Sequence, residues 1–226
     1  MRALLIEHEP DIPGGLVDDW LAGRDAVADV HRIAADSPDP DPRVYDVVVT
    51  LGSEAAAFDD AVPWIAREQR LLRGAFEAGV PILGICFGSQ LLARALGGRA
   101  VRAEQAEIGW MPIESRDPSL VPTGPWLQWH HDTFTVPAGA TLLAHSPAGP
   151  QAYTIGRSLG VQFHPEVTPA IVADWVAGSR AELEREGVNP DRLAADARER
   201  DADNRARALA LFDTFLDRVA QIDAAA

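Results

Sequence analysis

Cysteine is almost absent from this chain of 226 residues, in which Cys86 is the only one. A single cysteine excludes an internal disulfide and any metal site built from several thiolates. Free cysteine is among the most buried residue types, so an inert core position is the default interpretation. The composition alone therefore leaves two roles open for Cys86, a core residue or a reactive centre.

Basic residues and long apolar runs are also scarce. The chain has 20 Lys plus Arg against 34 Asp plus Glu, a formal net charge of −14. Such an acidic chain is poorly suited to binding nucleic acid or an anionic membrane through bulk electrostatics. No stretch approaches the roughly 18 apolar residues that cross a membrane, and the apolar start is too short for a signal-peptide core. We expect a cytoplasmic protein.

The length and composition predict one domain that spans residues 1–226. A chain of 226 residues can bury one large core. Its 47% apolar and 24% charged residues are the values of an ordinary globular protein. No repeat, low-complexity tract or long linker divides it.

The first half alternates strand and helix patterns. Apolar or β-branched runs predict strands at residues 2–7, 27–33, 45–50 and 80–85. Asp60 is the expected N-cap of a helix that has Pro63 in its first turn and ends at Gly79. A shorter helix is expected at residues 89–96. This alternation predicts an α/β protein with a parallel sheet and helices on both faces.

The second half has a different pattern. Between residues 99 and 163, Pro and Gly turns separate short strand-like segments at 108–113, 133–136, 141–144, 152–155 and 159–163. They predict antiparallel strands that are added to the sheet or folded over its edge. Two helices are expected to close the chain, one beginning near Thr168 and one spanning about residues 192–219.

Cys86 lies in a pattern that favours a nucleophile. An apolar strand leads directly into residues 84–88, Gly-Ile-Cys-Phe-Gly, and a helix follows. This is the nucleophile-elbow pattern with cysteine in place of serine. The helix N-terminus stabilises a thiolate, and the N–H of Phe87 is positioned to receive a developing oxyanion. A buried structural cysteine in a glycine-rich turn would look similar, so the assignment needs a partner base.

His164 is the best candidate base among the six histidines. It ends an apolar strand in residues 160–166, Gly-Val-Gln-Phe-His-Pro-Glu, and Pro165 keeps its backbone extended. Glu166, two residues further on, lies on the same side of an extended chain and can orient the imidazole. The alternative is a polar residue at a strand tip. Of the other histidines, His8 and His31 are interpreted as edge or surface residues. His145 is interpreted as a structural residue. His130 and His131 remain unassigned.

These two segments together resemble the class I, or triad, glutamine amidotransferase family. Its marks are G-x-C-x-G-x-Q, which matches residues 84–90, and G-x-Q-F-H-P-E, which matches residues 160–166. The chain is also similar to the stand-alone, GMP-synthase-like branch at residues 107–110, 129–130, 132–134, 137–146 and 151–153. The resemblance runs from about residue 1 to residue 180. It implies a flavodoxin-like α/β fold with a mostly parallel central sheet, flanking helices and a small antiparallel addition.

The resemblance also implies a reaction and a set of catalytic residues. Cys86 would attack the side-chain amide of glutamine, and His164, oriented by Glu166, would protonate the departing ammonia. The γ-glutamyl thioester would then be hydrolysed by water that His164 activates. The oxyanion would be held by the N–H of Phe87 and by one N–H of the loop at residues 50–54, where Gly52 and Ser53 are the candidates.

The implied substrate contacts are Gln90 and the segment His130, His131 and Asp132. Two departures from the family pattern affect these predictions. The oxyanion loop is usually Gly-Gly-Pro-like, but here only Gly52 is glycine. His131 stands where relatives often carry glycine, and its imidazole would narrow the pocket or change the substrate.

The expected partners are small molecules and one protein. The chain has no phosphate-cradling glycine-rich loop, so no ATP-binding synthetase is expected. No cofactor or metal is expected either. The substrate would be glutamine or a γ-glutamyl compound, and an ammonia-accepting synthase subunit is a possible partner. Two alternatives remain open. One is a thiol hydrolase of γ-glutamyl amides or peptides, and the other is a non-catalytic regulatory or binding module on the same fold.

Overall fold

The computed structural model describes residues 1–35 and 37–222. That part of the chain contains the strands β1 (Arg2–Glu7), β2 (Val27–Arg32), β3 (Val47–Thr50), β4 (Ile82–Ile85), β5 (Arg99–Met111), β6 (Glu114–Ser115), β7 (Trp126–Thr135), β8 (Thr141–Ser146), β9 (Gly149–Ile155) and β10 (Ser158–Val161). Its helices are α1 (Leu16–Ala22), α2 (Pro63–Glu77), α3 (Phe87–Ala95), α4 (Pro169–Arg185), α5 (Pro190–Glu199) and α6 (Asp201–Thr214). A π-helical segment, Phe215–Ala220, follows α6.

The main sheet has the strand order β2-β1-β3-β4-β10-β9-β8-β6. Its first five strands pair in parallel, and the last three are antiparallel. β3, β4 and β10 are buried along their whole length, as expected for parallel strands with both faces covered. The prediction of an α/β fold with a mostly parallel central sheet is confirmed.

A second sheet pairs β5 with β7 in antiparallel register. A bulge between Arg102 and Glu107 interrupts the pairing. The predicted segments 108–113 and 133–136 correspond to parts of these longer strands, and the small antiparallel addition is confirmed. The segment at 159–163 differs from its prediction, because β10 pairs in parallel with β4 and antiparallel only with β9. The carboxyl ends of β4 and β10 therefore meet at one edge of the sheet.

The two faces of the main sheet bury separate apolar cores. Val49 points to the face covered by α1 and α6, where it shares a cluster with Phe212. Its neighbour Val48 points to the opposite face, covered by α2 and α3, with Leu72. This follows from the alternation of side chains along a strand. Among the described residues, no helix is long and apolar enough to cross a membrane.

The structure corrects two helix predictions and confirms the predicted start of α4. The N-cap of α2 is Val62, not Asp60, whose carboxylate accepts a hydrogen bond from Arg94 instead (2.5 Å). The single helix predicted for residues 192–219 is divided into α5, α6 and the π-helical segment, with Arg200 between α5 and α6. Helix α4 begins at Pro169, close to the predicted start, and Thr168 is its N-cap, because its side chain accepts from the N–H of Ile171.

Helix α1 has no counterpart in the sequence analysis. It has seven residues, which is too few to establish a helical period. The glycine before it, Gly15, has φ 55°, and the N–H of Leu16 donates to the carbonyl oxygen of Glu166 (2.7 Å). This short helix therefore supports the H-P-E segment directly.

Candidate active site

Cys86 lies at the turn from β4 into α3. Its backbone has φ 50° and ψ −110°, a strained conformation for a residue with a side chain that costs on the order of 1–3 kcal/mol. Its N–H donates to Val161 (2.8 Å), and its carbonyl oxygen accepts from the hydroxyl of Ser89 (2.7 Å). Strain that the surrounding hydrogen bonds maintain is typical of a functional position.

The two glycines of the elbow are required by close backbone contacts. A Cβ on Gly84 would lie 2.8 Å from the carbonyl oxygen of Gly88. A Cβ on Gly88 would lie 2.3 Å from the carbonyl oxygen of Thr50. Neither contact can be relieved by moving a flexible side chain. The glycine spacing thus allows the strand, the turn and the following helix to pack against β3.

His164 and Glu166 follow β10 at the same edge of the sheet. The N–H of His164 donates to the carbonyl oxygen of Leu127 on β7 (2.9 Å). Its Nδ1 lies 2.6 Å from Oε1 of Glu166. Both side chains are buried, and the imidazole lies close enough to Cys86 to interact with it electrostatically. The structure therefore brings together the sulfur, the imidazole and the carboxylate that the sequence analysis selected.

The environment favours the protonated form of the His164 imidazole. The pKa of His164 is raised well above its usual value. Burial, the largest single influence, lowers this pKa, but the charges of Glu166 and Cys86 and the hydrogen bonds to both residues raise it. The raised pKa favours the imidazolium, which is the form that donates a proton to a leaving group.

Gln162 is a functional candidate that the sequence analysis missed. Its Nε2 donates to Sγ of Cys86 (3.6 Å), and its Oε1 accepts from Nε2 of Gln90 (3.2 Å). Gln90 also donates to the carbonyl oxygen of Asp132 (3.1 Å). The sequence contained a signal for this residue, because Gln162 belongs to the same Gly-Val-Gln-Phe-His-Pro-Glu segment as His164. The direct contact of Gln90 with a substrate stays a prediction.

The loop after β3 lies directly beside the candidate catalytic pair. A Cβ on Gly52 would lie 3.2 Å from Cε1 of His164 and 3.9 Å from Cβ of Cys86. The preceding carbonyl, of Leu51, accepts from the N–H of Gly88 (3.0 Å). The side chain of Ser53 turns away to donate to Oε1 of Glu9 (2.8 Å). The Gly52 and Ser53 backbone is thus near the sulfur, and its role as an oxyanion donor stays a prediction.

The three predicted substrate residues of β7 have different surroundings. The ring of His130 is buried, with Nδ1 facing the carbonyl oxygen of Asp132 (3.0 Å) and Nε2 facing Glu107 (3.2 Å). His131 is partly exposed in the cavity wall, with Nε2 3.7 Å from a carboxylate oxygen of Glu182 on α4. His130 therefore supports the backbone of this segment, whereas His131 is available at the surface of the cavity.

Glu107 is the buried centre of the network behind this segment. The network also includes Ser146 and Gln151, which donate to Oε2 of Glu107 (3.0 and 2.8 Å). The pKa of Glu107 is lowered: burial, the largest influence, raises it, but hydrogen bonds from His130 and Ser146 lower it. An ionised carboxylate here fixes the position of β7 relative to β8 and β9.

A cavity of about 400 Å³ opens in front of Cys86. Trp129 and Trp175 form part of its wall, with ring centroids 5.7 Å apart, and Trp175 packs edge-on against His164 at 5.0 Å. The wall contains every predicted catalytic, oxyanion-site and substrate residue except Glu166: Cys86, His164, Phe87, Gly52, Ser53, Gln90, His130, His131 and Asp132. In the described part of the chain, no group of three or more His, Cys, Asp or Glu side chains could hold a metal ion.

Comparison with known proteins connects this site with one family. Residues 52–172 match the family model of glutamine amidotransferase class-I. The GMP synthase [glutamine-hydrolyzing] of Synechocystis sp. is 31% identical over 133 residues, and that of Gloeobacter violaceus is 40% identical over 101 residues. These matches cover 55% and 41% of this chain but only 23% and 18% of the relatives. The chain thus corresponds to less than a quarter of each relative.

Two solved structures are similar over nearly the whole chain. A glutamine amidotransferase from Thermotoga maritima has a TM-score of 0.84 and 28% identity, and the match covers 98% of this chain and 99% of that one. A glutamine amido transferase from Methylobacillus flagellatus has a TM-score of 0.88 and 27% identity, with 96% and 94% of the two chains covered.

Proposed function

Because the chain belongs to the class-I glutamine amidotransferase family, we propose that it hydrolyses the side-chain amide of glutamine through a γ-glutamyl thioester on Cys86. The observation that carries the proposal is that Cys86 and His164 lie together in the wall of one cavity, with Glu166 hydrogen-bonded to the imidazole. A nucleophile hydrogen-bonded to a base, which a third group orients, is the arrangement of covalent acyl-transfer enzymes.

The first half-reaction forms the thioester and releases ammonia. The Cys86 thiolate adds to the amide carbon of glutamine, and the carbonyl oxygen becomes an oxyanion. Backbone N–H groups of Phe87 and of Gly52 or Ser53 stabilise that oxyanion. The protonated His164 then gives its proton to the amide nitrogen. The carbon–nitrogen bond breaks, and ammonia leaves.

The second half-reaction consumes water and restores the site. His164, now neutral, takes a proton from water as the hydroxide adds to the thioester carbon. The carbon–sulfur bond of the resulting tetrahedral intermediate breaks, glutamate leaves, and Cys86 is again a thiolate beside a protonated His164. The balance is glutamine plus water to glutamate plus ammonia, without oxidation or reduction.

The remaining predicted residues bind the amino-acid part of the substrate in this proposal. Gln90 and Asp132 belong to one hydrogen-bonded chain that ends at the sulfur. We assign them to the glutamyl group, with His130 holding the Asp132 backbone and His131 at the entrance. The whole chain, residues 1–226, acts as one amidotransferase domain in this proposal, and a synthase subunit that uses the ammonia is its proposed partner.

The cavity also favours a second candidate, hydrolysis of γ-glutamyl amides or peptides by the same residues. The space extends from Cys86 to α4, where Trp175, Gly178 and Glu182 form its wall. A leaving group larger than ammonia would occupy that extension, and His131 would contact it. The chemistry at Cys86 and His164 would be unchanged except that an amine leaves.

The test is to incubate the purified full chain with glutamine, γ-glutamyl-p-nitroanilide and γ-glutamyl peptides. Release of ammonia and glutamate, with a glutamyl mass adduct on Cys86, would support the amidotransferase-type reaction. Cys86→Ala and His164→Ala should abolish turnover. His145→Ala is the matched control, because His145 is partly exposed and pairs with the exposed Glu114. If the Cys86→Ala variant still turned over substrate, Cys86 would not be the nucleophile and the active site would lie elsewhere.

A further inference from the structure

A further buried histidine–carboxylate pair lies behind the candidate oxyanion loop. His8 directly follows β1, and its Nε2 is 2.7 Å from Oε2 of Glu68 on α2. The other oxygen of Glu68 accepts from the hydroxyl of Thr50 (2.5 Å). Both side chains of the pair are fully buried, so the sequence interpretation of His8 as an edge or surface residue is wrong. The reaction described above does not use this pair.

The hydrogen bonds of His8 determine where its protons lie. Nδ1 is 2.8 Å from the carbonyl oxygen of Gly52, which can only accept a hydrogen bond. Nδ1 therefore carries a hydrogen, and Nε2 shares a proton with Glu68. The pKa of His8 is raised: burial, the largest influence, lowers it, but the charge of Glu68 and the hydrogen bond to it raise it. The ring is thus held by a partner on each side.

His8 contacts residues of both segments that would hold the oxyanion. Besides its hydrogen bond to Gly52, its ring packs edge-on against Phe87, with centroids 4.8 Å apart, and lies 5.0 Å from Trp64. Gly52 is placed between two imidazoles. Its carbonyl oxygen meets His8, and its Cα faces His164 and Cys86.

A planar trans peptide links the direction of one carbonyl to that of the next N–H. The carbonyl of Gly52 and the N–H of Ser53 belong to one peptide unit and point in opposite directions. A donor on the carbonyl oxygen therefore sets the direction of the N–H. The neighbouring peptide is held in the same way, because the Leu51 carbonyl accepts from Gly88.

We propose that His8 is a positioning residue for the oxyanion site: its Nδ1–H holds the Gly52–Ser53 peptide in the orientation that stabilises the oxyanion, and Glu68 holds the His8 ring. This inference rests on the proposed function, since an oxyanion must form at Cys86. It assigns a role in the reaction to two residues outside the triad. In this loop, where only Gly52 is glycine, a side chain then fixes the orientation of the peptide.

The test compares two isosteric substitutions of His8. In His8→Asn the amide nitrogen occupies the place of Nδ1 and still donates to Gly52. In His8→Gln it occupies the place of Nε2, so the contact with Glu68 is kept and the donor to Gly52 is lost. We expect kcat for the substrate that the wild type hydrolyses to fall about 10- to 100-fold in His8→Gln, approaching the loss of one oxyanion donor. In His8→Asn it should stay within about threefold, and KM should be similar in both.

Alkylation of Cys86 by iodoacetamide distinguishes an effect on the oxyanion site from a general disturbance of the structure around Cys86. That reaction forms no oxyanion, so both variants should react at the wild-type rate. If the His8 variants do not fold, Glu68→Gln and Glu68→Leu replace them. Gln keeps a partner for Nε2 and should preserve kcat, whereas Leu leaves the ring unheld and should lower kcat about 10-fold or more.

The outcomes for the two proposals are distinct. A wild type that hydrolyses no γ-glutamyl substrate and forms no adduct on Cys86 overturns the proposed function and this inference together. An active wild type with equal kcat values in His8→Asn and His8→Gln overturns the positioning role alone. The same conclusion follows if iodoacetamide alkylation slows as much as turnover, because His8 would then act only through the fold around Cys86.

Discussion

Glu166 acts on the site through a single carboxylate oxygen. Oε1 contacts Nδ1 of His164, and Oε2 has no hydrogen-bond partner among the described residues. Its negative charge is one of the causes that raise the pKa of His164 against the effect of burial. The protonated imidazole therefore persists below this raised pKa and is lost as the pH rises through it.

Replacing Glu166 by Gln should weaken activity and change its pH dependence. The amide keeps an acceptor for Nδ1 but removes the charge, so the pKa of His164 falls. We expect kcat/KM to fall about 10- to 100-fold and the alkaline limb of its pH profile to move to lower pH. The measurement is kcat/KM from pH 5 to pH 10, with Glu199→Gln as an exposed control. An unchanged alkaline limb would contradict the orienting role of Glu166.

Gln162 should affect the sulfur before any substrate binds. Its Nε2 donates to Sγ of Cys86, so Gln162→Glu would replace a donor by a carboxylate beside a thiolate. Two like charges about 4 Å apart repel by about 4 kcal/mol at an effective dielectric of about 20. We expect alkylation of Cys86 at neutral pH to slow at least about tenfold. Gln162→Met, which removes the donor without adding charge, should slow it less. Equal rates in all three proteins would show that Gln162 does not contact the thiolate in solution.

At the scale of elements, α1 is coupled to the triad by one close backbone contact. A Cβ on Gly15 would lie 2.3 Å from the carbonyl oxygen of Glu166, and Gly15 has φ 55°. Both features disfavour any side chain at this position. A side chain at Gly15 should therefore displace both the short helix and the H-P-E segment.

We expect Gly15→Ala to lower the free energy of unfolding by about 2 kcal/mol or more and to lower kcat. The matched control is Gly74→Ala. Gly74 lies inside α2 with no atom within 4 Å of an added Cβ, so alanine there should stabilise by about 0.5–1 kcal/mol. Urea denaturation and kcat would be measured for both variants. If the Gly15→Ala protein were as stable and active as the control, the contact between α1 and the H-P-E segment would not matter for the site.

Sequence patterns predicted the elements whose burial is uniform or periodic. β1, β3 and β4 were identified by their apolar runs, and the elbow by its two glycines. The patterns failed where a distant contact decides the structure. Nothing near Gly15 signals that α1 docks on Glu166, and nothing near Arg200 signals the break between α5 and α6. His8 was misplaced because its partner Glu68 is 60 positions away in the sequence.

The candidate site was predicted only in part, because some of its residues are brought together by contacts that are distant in the sequence. Cys86, His164 and Glu166 lie in two short segments whose spacing reflects local geometry. Gln162 was missed although it lies in one of them, because only the folded chain brings it to the sulfur. The sequence did not indicate that Trp175 belongs to the site, because it lies on α4 and contacts the His164 ring only in the folded chain.

At the scale of the whole molecule, topology brings these residues together. Because β4 and β10 are parallel neighbours, the residues that follow them leave the sheet at the same edge. The loop after β3 and the residue after β1 leave at this edge as well. The proposed nucleophile, the proposed base, the candidate oxyanion loop and His8 thus follow four adjacent strands. A site built on the ends of packed strands is held more rigidly than one built on long loops.

The net charge of −14 gives a prediction for the molecule as a whole. Self-repulsion of the excess carboxylates destabilises the compact state, and salt screens it over a Debye length of about 10 Å at 0.1 M. Salt also weakens surface pairs such as Arg2–Asp29 and Arg180–Asp191. Exposed pairs of this kind each contribute only about 0–1 kcal/mol, so relief of the repulsion should dominate.

We therefore expect Tm at pH 7 to rise by a few degrees as NaCl is increased from about 0.02 M to about 0.3 M. The same salt series near pH 5 is the control, because the sequence pI of about 4.7 leaves little net charge there. Salt should then leave Tm unchanged or lower it, since only the attractive pairs remain to be screened. Scanning calorimetry at both pH values makes the comparison. A fall in Tm with salt at pH 7 would mean that the arginine–carboxylate pairs outweigh the repulsion.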